Sequence, residues 1–215
     1  MQVIFGGTFD PVHSGHLNMA TSALSQLQAE HLYFMPCAIP VHKARPGVAD
    51  AHRIAMLKLA IAEHPEFLLD TRELERTEPS YSLLSMQEWR KDRPTEPLVF
   101  LLGMDSFNQL HRWYHWQQLV ALCHIVVYQR PGDVFAPSAE LQAYLAAAEV
   151  TEPNQLHQQA GGLCYFMAGP TFDVSSSQIR ALLQQGRRNE LALPTAVLSY
   201  ITEHQLYAGE TGFPC

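Results

Sequence analysis

The sequence predicts an α/β fold, an open parallel sheet with helices on both of its faces. Three observations lead there. Short apolar runs of strand length recur along the chain, with Leu98-Val99-Phe100-Leu101-Leu102 the clearest and His124-Ile125-Val126-Val127-Tyr128 next; they read as buried strands. Between them lie segments whose apolar residues return at helical spacing. The first apolar run, Gln2-Val3-Ile4-Phe5, passes through Gly6 and Gly7 into such a segment, with Leu17, Ala20, Leu24 and Leu27 on its apolar face.

That strand-to-helix stretch, Gly6-Gly7-Thr8-Phe9-Asp10-Pro11-Val12-His13-Ser14-Gly15-His16-Leu17, carries most of the chemistry. Glycine has no Cβ, so Gly6 and Gly7 let backbone come close to a ligand. A helix N-terminus offers unpaired N–H groups and a partial positive charge, which suits phosphate. His13 and His16 stand three residues apart at that point; a neutral imidazole donates one hydrogen bond and a protonated one donates two. Together these features suit a triphosphate. Asp10, His13 and His16 also admit a metal reading, but no further ligands at zinc spacing accompany them, and no protein-held metal is expected.

His31-Leu32-Tyr33-Phe34-Met35 reads as the second strand. Residues 36–43 follow, and Pro36 and Pro40 make them an ordered loop rather than a helix. Lys43 in this loop is a candidate phosphate contact, with His42 as a further donor; taken alone, Lys43 also reads as a solvated surface lysine. Asp50 to Glu63 predicts a helix, with Asp50 as N-cap and Ile54, Leu57 and Ile61 on one face. Phe67 to Asp70 predicts a short third strand, and the charged run Glu73 to Glu78 a loop or edge strand. Pro79-Ser80-Tyr81-Ser82 opens a helix that continues from Leu83 to Lys91.

The strand at 98–102 ends in Gly103-Met104-Asp105. Ligands of open parallel sheets bind outside the carboxyl ends of the strands. Asp105 stands where a ribose or a metal-bound phosphate is met; it also suits the cap of the next helix. Phe107 to Leu122 holds aromatics at helical spacing, Trp113, Tyr114 and Trp116, for which core packing is the ordinary use; His111 and His115, four apart, could share a helix face, but no partner ligands accompany them. The strand at 124–128 ends in the turn Gln129-Arg130-Pro131-Gly132, so Arg130 also lies at a strand's carboxyl end. Ala136 to Ala148 predicts a helix, 149–162 a polar loop, and Leu163 to Met167 the last strand. Val174-Ser175-Ser176-Ser177-Gln178-Ile179-Arg180 opens a helix with serines as N-caps and Arg180 one turn in. By itself that is an ordinary capped helix. Pro194 opens a final helix to about Leu206, with Val197 and Ile201 facing inward.

The 215 residues suffice for one sizeable α/β domain and are marginal for two. One domain is therefore expected over 1–215, with a core to 207 and a short tail over 208–215. A hydrophobic content of 47% supports a packed core, and 16% charged residues argues against disorder. Cys37, Cys123, Cys164 and Cys215 form no C-x-x-C pair, which suits a reduced, cytoplasmic chain. No apolar run reaches the length of a membrane span, and residues 1–16 lack a signal-peptide pattern. The net charge of −7, with no basic stripe, argues against a nucleic-acid partner. Any phosphate must be met by a few placed cations and backbone amides. The oligomeric state is not legible.

Gly7, Phe9, Pro11, His13, Gly15 and His16 fill every fixed position of G-x-F-x-P-x-H-x-G-H. The chain thereby resembles the nucleotidyltransferases related to class I aminoacyl-tRNA synthetases. Within them it is similar to the bacterial nicotinate-nucleotide adenylyltransferases, over residues 1 to about 207. Further matches are the P-x-x-x-P-x-H-K loop at Pro36–Lys43, G-x-D at Gly103–Asp105, the Trp113-Tyr114 pair, R-P-G at Arg130–Gly132, and the pattern I-S-x-T-x-x-R at Val174–Arg180. Val174 stands for Ile, Ser177 for Thr, and Ser82 for the Thr of P-S-Y-T, all mild departures.

The resemblance implies a Rossmann-like sheet and the transfer of AMP from ATP to nicotinate mononucleotide, giving deamido-NAD and pyrophosphate in NAD biosynthesis, with Mg2+ accompanying ATP. It implies catalytic roles for His13, His16, Lys43 and Arg180. ATP would be met by Gly6, Gly7, Thr8, Phe9, the two histidines, Gly103, Asp105, Ser175, Ser176 and Arg180. The mononucleotide would be met by Gly7, Lys43, the backbone at Ser82 and Leu83, Trp113, Tyr114 and Arg130. Trp116 is expected to pack. No activated nucleophile is evident, and none is needed, because the attacking phosphate is already an anion. The alternatives are another small-molecule nucleotidyltransferase sharing the first motif, such as the phosphopantetheine enzyme, and a catalytically idle nucleotide-binding regulator. Trp113-Tyr114 and Pro79–Ser82 argue against the first; the intact histidines and Arg180 argue against the second.

Overall fold

Successive side chains along a strand face opposite ways, and the apolar runs of this chain use both sides. The computed structural model describes residues 1–38, 47–77, 79–170, 174–188 and 191–208. Its strands are β1 (Gln2–Gly7), β2 (Leu32–Pro36), β3 (Phe67–Leu69), β4 (Leu98–Gly103), β5 (His124–Gln129), β6 (Glu149–Val150) and β7 (Cys164–Ala168). They form one sheet in the order β3-β2-β1-β4-β5-β7-β6, with every pairing parallel. The helices are α1 (Ser14–Leu27), α2 (Asp50–Ile61), α3 (Arg72–Glu75), α4 (Ser82–Asp92), α5 (Met104–Asn108), α6 (Trp116–Leu122), α7 (Ala139–Ala148), α8 (Ser176–Gln184) and α9 (Thr195–Glu203).

Two apolar cores follow from the alternation. Val3, Phe5, Leu32, Phe34, Val99, Leu101 and Val126 pack against α1, α2, α8 and α9 on one face. Ile4, Met35, Leu98, Phe100, Leu102, Ile125 and Val127 pack against α4, α5, α6 and α7 on the other. The expected doubly covered α/β sheet is thus observed. The chain runs from β1 outward through β2 to β3, then returns to place β4 on the opposite side of β1. This reversal opens a crevice at the carboxyl ends of β1 and β4, where ligands of such sheets bind.

Several elements differ from the sequence expectation. Phe107 to Leu122 is not one helix. After α5 comes a tight turn at Leu110–Arg112, and His115 adopts a left-handed conformation, φ 46°, before α6 begins. The break lets Phe107, Leu110 and Trp116 enter the core while Tyr114 stays exposed, and His111 and His115 share no helix face. The loop expected at 149–162 contains the edge strand β6 and a helical turn, Pro153–His157, that buries Leu156; its polar composition hid one apolar anchor. The charged run after β3 begins as the single turn α3, where Glu73 is buried rather than solvated. Asp50 is not the N-cap of α2: Ala49 is, and Asp50 instead accepts from Arg53, Nη2 to Oδ1 at 2.6 Å. The buried face of α2 is Arg53, Met56, Leu57, Ala60 and Ile61, with Ile54 at its margin. Val197 and Ile201 are buried as expected.

Candidate active site

Two cavities meet at the carboxyl ends of β1 and β4. The larger, about 700 Å³, lies between the N-termini of α1 and α8. The smaller, about 410 Å³, lies toward α4. Gly6, Gly7, Thr8, Asp105, Ser106 and Trp113 line both.

In the larger cavity the rings of His13 and His16 stack, centroids 3.7 Å apart and planes 24° from parallel. The His13 backbone N–H donates to His16 Nδ1 at 3.2 Å, so the proton of a neutral His16 sits on Nε2. Burial, aided by the charge of Arg130, lowers the His13 pKa to about 4, so His13 is neutral at pH 7. Phe9 supports this pair from beneath: it is 2% exposed and stands edge-on to His16 at 5.1 Å. A Cβ on Gly7 would come within 2.8 Å of the Phe9 ring, and one on Gly6 within 2.8 Å of the Phe100 ring. These two glycines are therefore demanded by the rings packed against them, a reason the sequence reading, which looked only to a ligand, did not contain.

The second motif folds onto the first. Ser175 caps α8, its Oγ accepting from the Gln178 N–H at 3.2 Å. Ser176 Oγ donates to the Pro11 carbonyl at 3.0 Å, and Arg180 Nη1 donates to the Asp10 carbonyl at 2.6 Å. The helices approach so closely that a Cβ on Gly15 would lie 2.9 Å from Val174 Cγ1 and 3.0 Å from His13 Nδ1. Two helix N-termini, with their unpaired amides and partial positive charge, thus face one space.

The smaller cavity is of a different kind. Ser82 and Leu83 are the first residues of α4, and the first amides of a helix have no acceptor inside it. Trp113 stands edge-on to Phe100, centroids 6.0 Å apart. Tyr114, 45% exposed, stacks on Tyr81 at 4.3 Å. Ser80 Oγ accepts from the Ala38 N–H at 3.1 Å, joining α4 to the end of β2. Glu73, 3% exposed, also lines this cavity and accepts from Ser85 Oγ at 2.6 Å. Burial pushes its pKa up, against the hydrogen bonds of Ser85 and Ser80 and the charge of Arg76.

This geometry coincides with a family match. The cytidylyltransferase-like family model covers residues 4–182. The chain belongs to that family. A protein of Idiomarina loihiensis named probable nicotinate-nucleotide adenylyltransferase is 39% identical over 208 residues, covering 96% of this chain and 99% of the relative. A protein of the same name from Pseudoalteromonas atlantica is 40% identical over 210 residues, covering 98% and 96%. Among solved structures, the Plasmodium falciparum nicotinic acid mononucleotide adenylyltransferase complexed with NaAD shares the fold, with a TM-score of 0.69 at 17% identity, over 96% of each chain.

Against this background every site residue expected from the sequence lines one cavity or the other, except Lys43, which with His42 lies outside the described residues. His13, His16, Gly103, Ser175, Ser176 and Arg180 line the larger, and Ser82, Leu83 and Tyr114 the smaller. Arg130, expected beside the mononucleotide, lines the larger cavity, its Nη2 3.2 Å from Asp133 Oδ1. Phe9 meets the cavity mainly as its floor. Glu73 and Ser106 in the cavity walls, and Arg53 behind them, escaped the sequence reading. Glu73 was hidden in a charged run. Ser106 follows the G-x-D segment with no pattern of its own. Arg53, fully buried, holds the Thr8 carbonyl through Nη1 at 2.8 Å; the available signal was an arginine three and four residues before Met56 and Leu57 on an apolar helix face. Among the described residues no group of three His, Cys, Asp or Glu side chains is arranged to hold a metal.

Proposed function

We propose that the protein transfers AMP from ATP to nicotinate mononucleotide, giving deamido-NAD and pyrophosphate. It is a nucleotidyltransferase, and the observation that carries the finer reading is the junction of two unlike cavities at Gly6, Gly7 and Thr8. One has the donors for a triphosphate; the other has a helix N-terminus and an aromatic wall suited to a cationic pyridine ring bearing a carboxylate. The names of the relatives at 39–40% identity support the same acceptor.

A phosphate oxygen of the mononucleotide attacks the α-phosphorus of ATP in line. The new P–O bond forms as the bond to the β-phosphate oxygen breaks, and pyrophosphate leaves with that electron pair. Catalysis is positioning plus stabilisation of developing charge. His16, donating from Nε2, and neutral His13 hold the α- and β-phosphates. Arg180, the α8 amides, Ser175 and Ser176 take charge on the departing pyrophosphate, with Lys43 assigned there on the family pattern alone. Gly103 and Asp105 meet the nucleotide, the Ser82 and Leu83 amides the ring carboxylate, and Trp113 and Tyr114 the ring. Arg130, on the His13 side, meets phosphate.

Mg2+ accompanying ATP would neutralise charge on the phosphates. Among the described carboxylates lining the cavities, Asp10 and Glu73 already accept hydrogen bonds, so Asp105 is the one that would approach the ion, with phosphates and water as its other ligands. We place the reaction in the cytoplasm within one domain; no described helix is long and apolar enough to cross a membrane. The test is pyrophosphate release from ATP and Mg2+ with a panel of acceptors. Nicotinate mononucleotide should be the best; release with phosphopantetheine instead, or with none, would reject this reading.

A further inference from the structure

A buried carboxylate must have its charge met by hydrogen bonds. Asp10 is 5% exposed, and both its oxygens are engaged. Oδ2 accepts from the Gly47 N–H at 2.7 Å, and Oδ1 from the Tyr207 hydroxyl at 2.5 Å. Its backbone carbonyl takes the Arg180 Nη1 bond at 2.6 Å, and the same nitrogen stands 3.8 Å from Oδ2. Tyr207, beyond α9, adopts a left-handed conformation, φ 58°, which side chains rarely occupy without support from their surroundings. Burial and the Asp10 charge push its pKa up, so the hydroxyl remains a donor at neutral pH.

We infer that Asp10 is a positioning residue which holds Arg180 at the phosphate cavity, and that Tyr207 makes this possible by holding Oδ1 and so fixing the carboxylate in the orientation that keeps Oδ2 3.8 Å from the guanidinium. The inference rests on the adenylyl-transfer reading for the role of Arg180. With both oxygens engaged, Asp10 grips Arg180 through a neutral carbonyl and does not neutralise it head-on. Nη2 also donates to Ser177 Oγ at 3.2 Å, and the donors left beyond these two bonds can meet phosphate. Without the Tyr207 hydroxyl the carboxylate has one partner fewer, and among the described residues Arg180 is the cation paired with it. A direct ion pair would compete with the phosphates for the same donors. The C-terminal segment thus acts on the triphosphate through another residue, without touching it.

A double-mutant cycle tests this. ATP affinity by calorimetry, and kcat and KM for pyrophosphate release, are measured for the wild type, Tyr207→Phe, Arg180→Ala and the double variant. Tyr207→Phe should lower ATP affinity and kcat by roughly tenfold, the size of one lost charge-assisted hydrogen bond, with the acceptor KM little changed. In the Arg180→Ala background it should change neither by more than about twofold. An equal loss in both backgrounds would make Tyr207 a general support of the fold and overturn the inference. If Tyr207→Phe does not fold, Asp10→Asn carries the same cycle. Its carbonyl accepts from Gly47 and its amide donates to the Tyr207 oxygen, so both contacts are kept while the charge and the bond donated by the Tyr207 hydroxyl are lost, and its effect on ATP affinity should again require Arg180. ATP binding needs no acceptor. Absence of turnover with nicotinate mononucleotide would therefore count against the adenylyl-transfer reading while the cycle still decided the positioning role.

Discussion

The two cavities are built by different means. The phosphate cavity is made from local sequence: a strand, a turn and a helix start, twice over, held together by bonds from α8 to the carbonyls of Asp10 and Pro11. Its donors are backbone amides, two imidazoles and the guanidinium groups of Arg130 and Arg180. The acceptor cavity is assembled from β2, α3, α4 and the broken stretch around Trp113, and its walls are aromatic. The first suits any triphosphate, and on the proposed function it is where charge would be stabilised. The second, with a helix N-terminus and aromatic walls, would on the same reading choose the acceptor. Chemistry and choice should therefore be separable by substitution.

The largest expected effect lies in the acceptor cavity. Nicotinate and nicotinamide mononucleotides differ only in a carboxylate against a carboxamide. Two carboxylate oxygens can accept from the Ser82 and Leu83 amides, whereas an NH2 group would leave one donor unpaired. A site built for such bonds rejects an analogue lacking them by roughly 10⁴-fold. That ratio of kcat/KM is the prediction. Equal values for the two acceptors would mean that the α4 N-terminus does not read the ring substituent. Next comes His16→Ala in the phosphate cavity, expected to lower kcat by roughly 10²–10³, as for one lost oxyanion donor, with KM for the acceptor held and the fold intact by circular dichroism. A mutant that loses acceptor affinity instead would show the halves to be mixed.

The same contrast governs what the sequence made legible. Strands β1, β4 and β5 and helices α1 and α8 could be read because their apolar period and their motifs are local. His13, His16, Ser175 and Arg180 came with them. Glu73, Arg53 and the Tyr207–Asp10 bond could not be read, because each is defined by what packs on it from a distant segment. A charged residue looks the same in sequence whether solvated or buried against a serine. The break at His115 was missed for a related reason: helical spacing of aromatics does not reveal a single left-handed residue, which tertiary packing imposes on a propensity that would otherwise continue the helix.

Trp113 sharpens the boundary, since it lines both cavities. Trp113→Ala should raise KM for both the acid and the amide acceptor by about tenfold, the loss of one ring-to-cation contact, and leave ATP affinity within about twofold. Fluorescence titration with ATP and steady-state kinetics with each acceptor separate the two. A loss confined to ATP would move Trp113 to the phosphate half.

The smallest expected effect on activity concerns pH, and it isolates His13. Its pKa in the folded protein is about 4, against 6.5 for the ordinary group, because of burial first and the Arg130 charge second. Between those values the unfolded chain binds a proton that the folded protein refuses. The neutral histidine therefore contributes stability in full above pH 6.5, and that contribution is lost as pH falls toward 4, by up to about 3 kcal/mol. Catalysis by a neutral His13 should not weaken through that group between pH 8 and pH 5.5, so kcat should change by less than about twofold on its account. Urea unfolding at pH 7 and pH 5 should show a larger drop for the wild type than for His13→Asn, which has no proton to refuse. Parallel drops would mean that His13 is not held neutral. A kcat that fell in step with a group titrating near pH 6.5 would mean that the stacked pair works with a charge its burial opposes.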